Sequence, residues 1–225
     1  MSNVTYEYIR RNKDIQTYIN YADAALNTIG YTEHSNAHVE RAAATAYMIL
    51  DTLGYDARTC ELAQIAGYMH DIGNVVNRID HAQSGAVMAF RLLDRLGMPA
   101  DEIAAIGNHD ESTAVPVTPI AAALIIADKS DVRRSRVRGR DGAFIPSTEN
   151  LARDIHDRVN YAAERSELKF SEDKSELILD LTIDLNISPV MEYFEIFLSR
   201  MDLCRRAAGY LGVTFGLIIN GARIL

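Results

Sequence analysis

The stretch Leu62-Ala63-Gln64-Ile65-Ala66-Gly67-Tyr68-Met69-His70-Asp71-Ile72-Gly73 decides how this chain is read. An apolar run of helical texture ends there on a histidine and an aspartate side by side. Neighbouring side chains on a helix point about 100° apart, so two neighbours face one centre only where the backbone turns. Gly73 is expected to supply that turn by taking a left-handed conformation at the helix C-terminus. Working outward, His38, His81 and His109 each fall at or near the edge of a predicted helix, and Asp128 lies late in the apolar run 120–127. Imidazoles and carboxylates from five separate segments make a mixed nitrogen/oxygen donor set suited to a metal ion.

The segments around this stretch also read as helices. Ile15, Tyr18, Ile19, Ala22, Leu26 and Ile29 recur at spacings of three and four before Gly30. Val39, Ala42, Ala43, Ala46, Ile49, Leu50 and Leu53 repeat the pattern before Gly54. Further helices are expected at 57–71, 81–96, 100–109 and 119–133, with Pro99 and Pro119 at first-turn positions and Gly97 closing the helix that His81 opens. The basic, turn-rich segment 136–142 reads as a loop, followed by a helix at 148–163. Strands are expected at 167–170 and 177–185, the second alternating Leu and Ile with polar residues. Ser188-Pro189 then predicts a capped helix running to about residue 211, with Met191, Tyr193, Phe194 and Phe197 on its packed face, and 213–219 a final strand. The fold class is mainly α: a helical bundle over 1–165 with a small C-terminal α/β subdomain, strand-strand-helix-strand, over 166–225.

Composition narrows the function classes. Hydrophobic residues make up 48% and charged residues 24% of 225, as in an ordinary globular protein. The formal charge of −8 argues against general nucleic-acid binding, which draws on excess Lys and Arg. No apolar stretch reaches membrane-spanning length, and residues 1–11 are polar rather than signal-like. Cys60 and Cys204 lie far apart without metal-ligand spacing, so a reducing, cytoplasmic setting is the expectation. Association into a homo-oligomer is left open.

Five elements in this order, His38-Val39-Glu40-Arg41-Ala42, His70-Asp71-Ile72-Gly73, His81-Ala82-Gln83-Ser84-Gly85-Ala86, Ile106-Gly107-Asn108-His109-Asp110-Glu111 and Ala127-Asp128-Lys129-Ser130-Asp131, together resemble the HD-domain superfamily of metal-dependent phosphohydrolases. His38-Val39-Glu40-Arg41-Ala42 resembles its opening H-x-x-R-V element, with Ala in place of Val. His70-Asp71-Ile72-Gly73 resembles the doublet that names the family, and His81-Ala82-Gln83-Ser84-Gly85-Ala86 its H-x-x-x-G-A element. Ile106-Gly107-Asn108-His109-Asp110-Glu111 resembles I-x-x-H-x-E, and Ala127-Asp128-Lys129-Ser130-Asp131 the closing A-D-K-x-D. The resemblance implies that His38, His70, Asp71 and Asp128 ligate one divalent metal. Asp71 then bridges to a second ion held by His81 and His109, giving two ions per chain of unspecified identity (Fe, Mn, Co, Zn or Mg). Such a pair would activate a water for attack on a small phosphorylated substrate or nucleotide.

Two features set the chain apart from the cyclic-dinucleotide branch of the family. Asn74 stands where Lys typically follows H-D-I-G, and Asp110-Glu111-Ser112-Thr113-Ala114 lacks the G-Y-P element. The ligand pattern is closer to that of dinuclear dinucleoside-polyphosphate hydrolases. Asp71, Asp128 and Asp110 are the candidate catalytic residues, with Asp110 and Glu111 as a possible proton shuttle or as solvent-facing loop residues. Lys129, Arg133 and Arg136 open the densest basic run and are candidate phosphate clamps. Arg138 and Arg140 read as a solvated helix end. His34, four residues before His38, is a rival ligand on the same helical face, although only His38 is followed by x-x-Arg. His156 reads as a surface or packing residue. Two rival functions keep the same fold: a regulatory nucleotide- or metal-binding module without turnover, and an oxygenase using two irons.

Overall fold

The computed structural model describes residues 4–98, 103–138, 151–152 and 154–225. Its helical body comprises α1 (Tyr6–Arg11), α2 (Lys13–Thr28), α3 (Asn36–Thr52), α4 (Ala57–Met69), α5 (His81–Arg95), α6 (Ile103–Gly107), α7 (Pro119–Lys129) and α8 (Ile155–Ala162). Short 3₁₀ turns at Ile72–Val75 and Arg134–Arg136 follow α4 and α7. Side-chain caps fix the helix starts. Asn12, Ser35, Asp56, Thr118 and Asp154 each accept hydrogen bonds from first-turn amides of the helix that follows. The helix α7 is apolar on every side and is accordingly the central one, with residues 120–127 all buried and packed against α3 and α4. The α3–α4 crossing is close because Gly67 has no side chain. A Cβ there would stand 2.7 Å from Ala43 Cα.

The C-terminal region forms one four-stranded sheet in the order β1 (Ala163–Phe170), β2 (Glu176–Ile183), β3 (Thr214–Ile219), β4 (Ala222–Arg223). Its long helix α9 (Val190–Tyr210) makes the crossover between the parallel strands β2 and β3. The alternation in β2 buries Leu177, Leu179, Leu181 and Ile183, and the first three pair in register with the buried Phe215, Leu217 and Ile219 of β3. This apolar face is covered by α9, which also packs on α7, so sheet and helical body share one continuous core.

Several sequence expectations shift. Gly73 does not take a positive φ. The chain turns there by a 3₁₀ segment, and the glycine is needed for space instead. An added Cβ would run into His81 O, and would stand 2.5 Å from Gly85 N and 2.7 Å from Ser84 Oγ of α5. The helix expected to 71 ends at Met69, and the one expected to 133 ends at Lys129, where the chain turns and Asp131 comes to face α3. Pro189, in extended conformation, precedes α9 as its cap position. The Ser188 hydroxyl donates to Glu192 rather than capping the helix. Tyr193 and Phe197 are buried as expected, but Met191 faces solvent. Parts of the helices expected at 100–109 and 148–163, together with Pro99 and Arg140, lie outside the described residues. Among the described residues no helix is long and apolar enough to cross a membrane.

Candidate metal centre

Each histidine of the predicted set has one ring nitrogen committed and the other turned inward. His70 Nδ1 lies 2.8 Å from Gly67 O, His81 Nδ1 3.0 Å from Arg78 O, and His109 Nδ1 2.7 Å from Ile106 O. In all three the partner is the carbonyl three residues earlier, so the ring is oriented by its own local backbone. His38 differs. It sits in the first turn of α3, and its Nδ1 lies 2.8 Å from Asp131 Oδ2, a buried carboxylate. Donation from Nδ1 to these oxygens leaves each Nε2 as a lone pair, the arrangement in which imidazole binds a metal.

Those Nε2 atoms converge with two carboxylates. Asp71 Oδ2 lies 3.3 Å from His70 Nε2 and 3.6 Å from His38 Nε2. Its other oxygen, Oδ1, lies 3.5 Å from His81 Nε2 and 4.0 Å from His109 Nε2. Asp128 Oδ1 stands 3.3 Å from His38 Nε2 and 3.7 Å from His70 Nε2. Among the described residues, His38/His70/Asp71, His70/His109/Asp128 and Asp71/His81/His109 each bring donor atoms within 4.8 Å of one another. The donor set fits divalent ions on two further counts. Asp71 Oδ2 is buried with no hydrogen-bond partner, and the Nε2 pairs His38/His70 and His81/His109 face each other at 3.3 and 3.2 Å. Nitrogens facing each other beside a buried carboxylate need a shared positive charge, a proton when no ion is bound or a divalent cation in its place.

Electrostatics divide the cluster. Burial disfavours a charged His70, but Asp71 and Asp128 outweigh it and push the ring up to about 10. Burial, reinforced by His70 and Lys129, pushes His109 down to about 3, and burial also lowers His81. Asp71 and Asp128 stay well below the usual carboxylate range although burial opposes it: His70, His34 and His81 act on the first, Lys129, His38 and His70 on the second. His81 and His109 are therefore ready neutral donors, and an ion taking His70 displaces a proton.

His34 is buried beside the cluster, its ring centroid 5.5 Å from that of His38, with Nδ1 on Thr32 O. It belongs to none of the three donor groups and instead lines the cleft that opens over them. Asp110 Oδ1 lies 3.8 Å from His81 Nε2. Hydrogen bonds from Ser112, with His81 and Lys129 nearby, hold Asp110 below its ordinary range against the opposing effect of burial.

The basic run divides as well. Lys129 is buried, with Nζ 2.7 Å from Asp128 Oδ2, and Arg136 is buried with Nε on Glu33 O and Nη1 on Asp131 O; both line the cleft. Arg133 does not line it. Its guanidinium is engaged by Asp131 and Glu33, so the sequence expectation of a phosphate clamp there meets a structural ion pair. Arg138 pairs with Asp23, and His156 is an exposed residue at the cleft wall.

Four participants escaped the sequence reading as functional residues. Asp131 orients His38. Asn74 Nδ2 donates to Asp71 Oδ1 at 2.9 Å. Arg78 Nη1 lies 3.3 Å from Asn74 Oδ1 and 3.3 Å from His81 Nε2, and Arg200 of α9 pairs with Glu111. A signal existed for Asp131, which closes the A-D-K-x-D element. None existed for Arg200, which reaches the cleft only through the packing of α9 on α7.

Comparison with known proteins supplies one family and one relative. Residues 37–133 match the HD domain family. The chain is also 24% identical to an uncharacterized protein of Methanocaldococcus jannaschii, over an alignment covering 75% of this chain and 72% of the relative.

Proposed function

With residues 37–133 forming an HD domain, we propose that the chain is a metal-dependent phosphohydrolase that directs activated water onto a nucleotide or other small phosphorylated metabolite. The observation that carries this reading is the position of Asp71, one oxygen facing His38 and His70 and the other facing His81 and His109. In this reading His38, His70, Asp71 and Asp128 hold one ion, and Asp71, His81 and His109 a second. Divalent ions bound there supply Lewis acidity and a water of lowered pKa. The chain's own residues set the conditions for it. Asp131 and the carbonyls of Gly67, Arg78 and Ile106 keep the imidazole lone pairs inward, and burial of the four histidines keeps bulk water from competing for them. In this reading Asp110, with Oδ1 3.8 Å from His81 Nε2, takes up the proton of the attacking water. Lys129 and Arg136 put positive charge along the cleft floor beside Asp128.

The test is hydrolysis of a panel of nucleotides, dinucleoside polyphosphates, cyclic dinucleotides and sugar phosphates by protein loaded with Mn²⁺, Co²⁺, Mg²⁺ or, anaerobically, Fe²⁺. Wild type is expected to turn over at least one member and Asp71→Ala none above background, with a lower thermal stability because bound ion stabilises the folded state by mass action. A metal-loaded wild type inert to the whole panel, or a variant as active as wild type, would contradict the reading.

A further inference from the structure

We propose that His34 sets substrate specificity: its Nε2 accepts a hydrogen bond from a hydroxyl that neighbours the phosphate ester, so the site favours phosphates of polyols over those of simple alcohols. This deepens the phosphohydrolase reading and rests on its seating of the phosphoryl group at the ions. The ring is held in place by the chain around it. His34 N donates to Asp23 Oδ1 at 2.9 Å, and its Nδ1 lies 2.6 Å from Thr32 O. The preceding residue is clasped to Arg136, with Glu33 N donating to Arg136 O at 2.8 Å and Arg136 Nε to Glu33 O at 3.1 Å. A carbonyl only accepts, so Nδ1 carries the hydrogen. Burial, joined by the Arg136 guanidinium, outweighs Asp71 and holds the ring well below its ordinary pKa. Cations at the metal centre act in the same direction. The ring is therefore neutral, and its Nε2 is an acceptor.

The surroundings of that nitrogen differ from those of the other four buried histidines. Their Nε2 atoms face each other in pairs, His38 with His70 at 3.3 Å and His81 with His109 at 3.2 Å. His34 Nε2 has no hydrogen-bond partner among the described residues and belongs to no donor group, although its ring packs edge-on against that of His38. His34 lines the cleft of about 440 Å³ together with residues 29–32, beside Asp71 and His81. It thus stands where the metal centre meets the wall. From a phosphoryl group seated on the ions, the part of a substrate that reaches His34 is the part next to the ester oxygen. A buried acceptor calls for a donor. A cationic donor is disfavoured beside divalent ions, which leaves a neutral hydroxyl.

The test is equilibrium binding of glycerol 2-phosphate and of isopropyl phosphate, which share a carbon skeleton and differ only in hydroxyls, to the full chain loaded with Mn²⁺. Wild type is expected to bind glycerol 2-phosphate about tenfold tighter, the effect of one good hydrogen bond. His34→Phe should bring the two affinities within about twofold of each other with metal content unchanged. His34→Gln, whose amide oxygen can accept a hydrogen bond, should keep part of the difference. A merely structural role would weaken both ligands alike and leave their ratio where it was. Equal binding by wild type, which would assign Nε2 to water, overturns the proposal, as does an unchanged ratio or a lost ion in His34→Phe. Turnover separates this from the broader reading. Selective binding without hydrolysis of these or any other phosphate contradicts the phosphohydrolase reading and leaves the His34 contact standing.

Discussion

The buried donor cluster and the cleft wall above it are adjacent, yet they are built on opposite plans. In the cluster, His70, His81 and His109 are each oriented by the carbonyl three residues back, within hydrogen-bond range along a single turn of chain. In the wall, Arg136 is held by Glu33 O, Arg200 by Glu111 and Arg133, just outside it, by Glu33, all partners distant in sequence, whereas Lys129 and Arg78 lean on the near neighbours Asp128 and Asn74. Groups oriented locally carry their instructions in a short motif, whereas groups oriented by tertiary partners carry them nowhere in particular. The two plans also predict different sensitivities, because the cluster depends on helix ends meeting and the wall on ion pairs that can rearrange.

Gly73 is where the helix ends meet, and its replacement should have the largest effect on the scaffold. Gly73→Ala forces a Cβ against His81 O and the start of α5, and overpacking of this kind costs about 3 kcal/mol. Denaturant unfolding should show that loss together with weakened binding of the second ion, since His81 moves with α5. Gly209→Ala, inside α9 where an added Cβ meets nothing within 4 Å, should instead stabilise by about 1 kcal/mol through helix propensity. Equal effects of the two substitutions would remove the packing argument for Gly73.

The charge state of the cluster gives a second, intermediate effect. His70 is raised from 6.5 to about 10 by Asp71 and Asp128 against the pull of burial. A raised folded-state pKa contributes stability that is fully present below the unfolded value and lost as pH rises through the folded one. Chelator-treated protein should therefore lose Tm between pH 6.5 and 10 relative to His70→Gln. His109, pushed down to about 3 from 6.5, adds only an opposing slope near pH 6.5, where the unfolded ring still holds part of a proton, and none at the alkaline end of the window. Metal-loaded protein should lack the decline, because the ion replaces the proton. A flat metal-free profile over this range would contradict the paired state of His70.

Arg133 should give the smallest effect and sharpen the comparison from the wall side. Its partners are Asp131 and Glu33, and Asp131 keeps His38, Arg41 and Arg136 when Arg133 is removed. Arg133→Ala should cost about 1 kcal/mol of stability and leave KM unchanged. A clear rise in KM with stability intact would return Arg133 to the substrate side.

The same contrast explains what the sequence disclosed. His38, His70, Asp71, His81, His109 and Asp128 were legible because each stands at a helix edge in a short ordered motif, and the structure brings all six together. The helical periodicities and the alternation of β2 were legible because one face of each element is buried. Helix α7 overran in the reading because the apolar and basic residues after Lys129 continue its texture, while the turn is imposed by Asp131 reaching His38. Gly73 was recognised as necessary, but for a conformation it does not adopt, since the closeness of α5 is a property of packing. Arg78 and Arg200 remained hidden because nothing local distinguishes them from solvent-facing arginines.

The central claim is that Asp71 joins two donor sets, and metal content at saturation tests it most directly. Protein equilibrated with excess Mn²⁺, freed of unbound ion and measured by elemental mass spectrometry should carry two ions per chain. His81→Ala should carry one, and His34→Ala should still carry two, since His34 lies outside every donor group. Saturation of wild type at a single ion, or loss of an ion in His34→Ala with none lost in His38→Ala, would contradict the account.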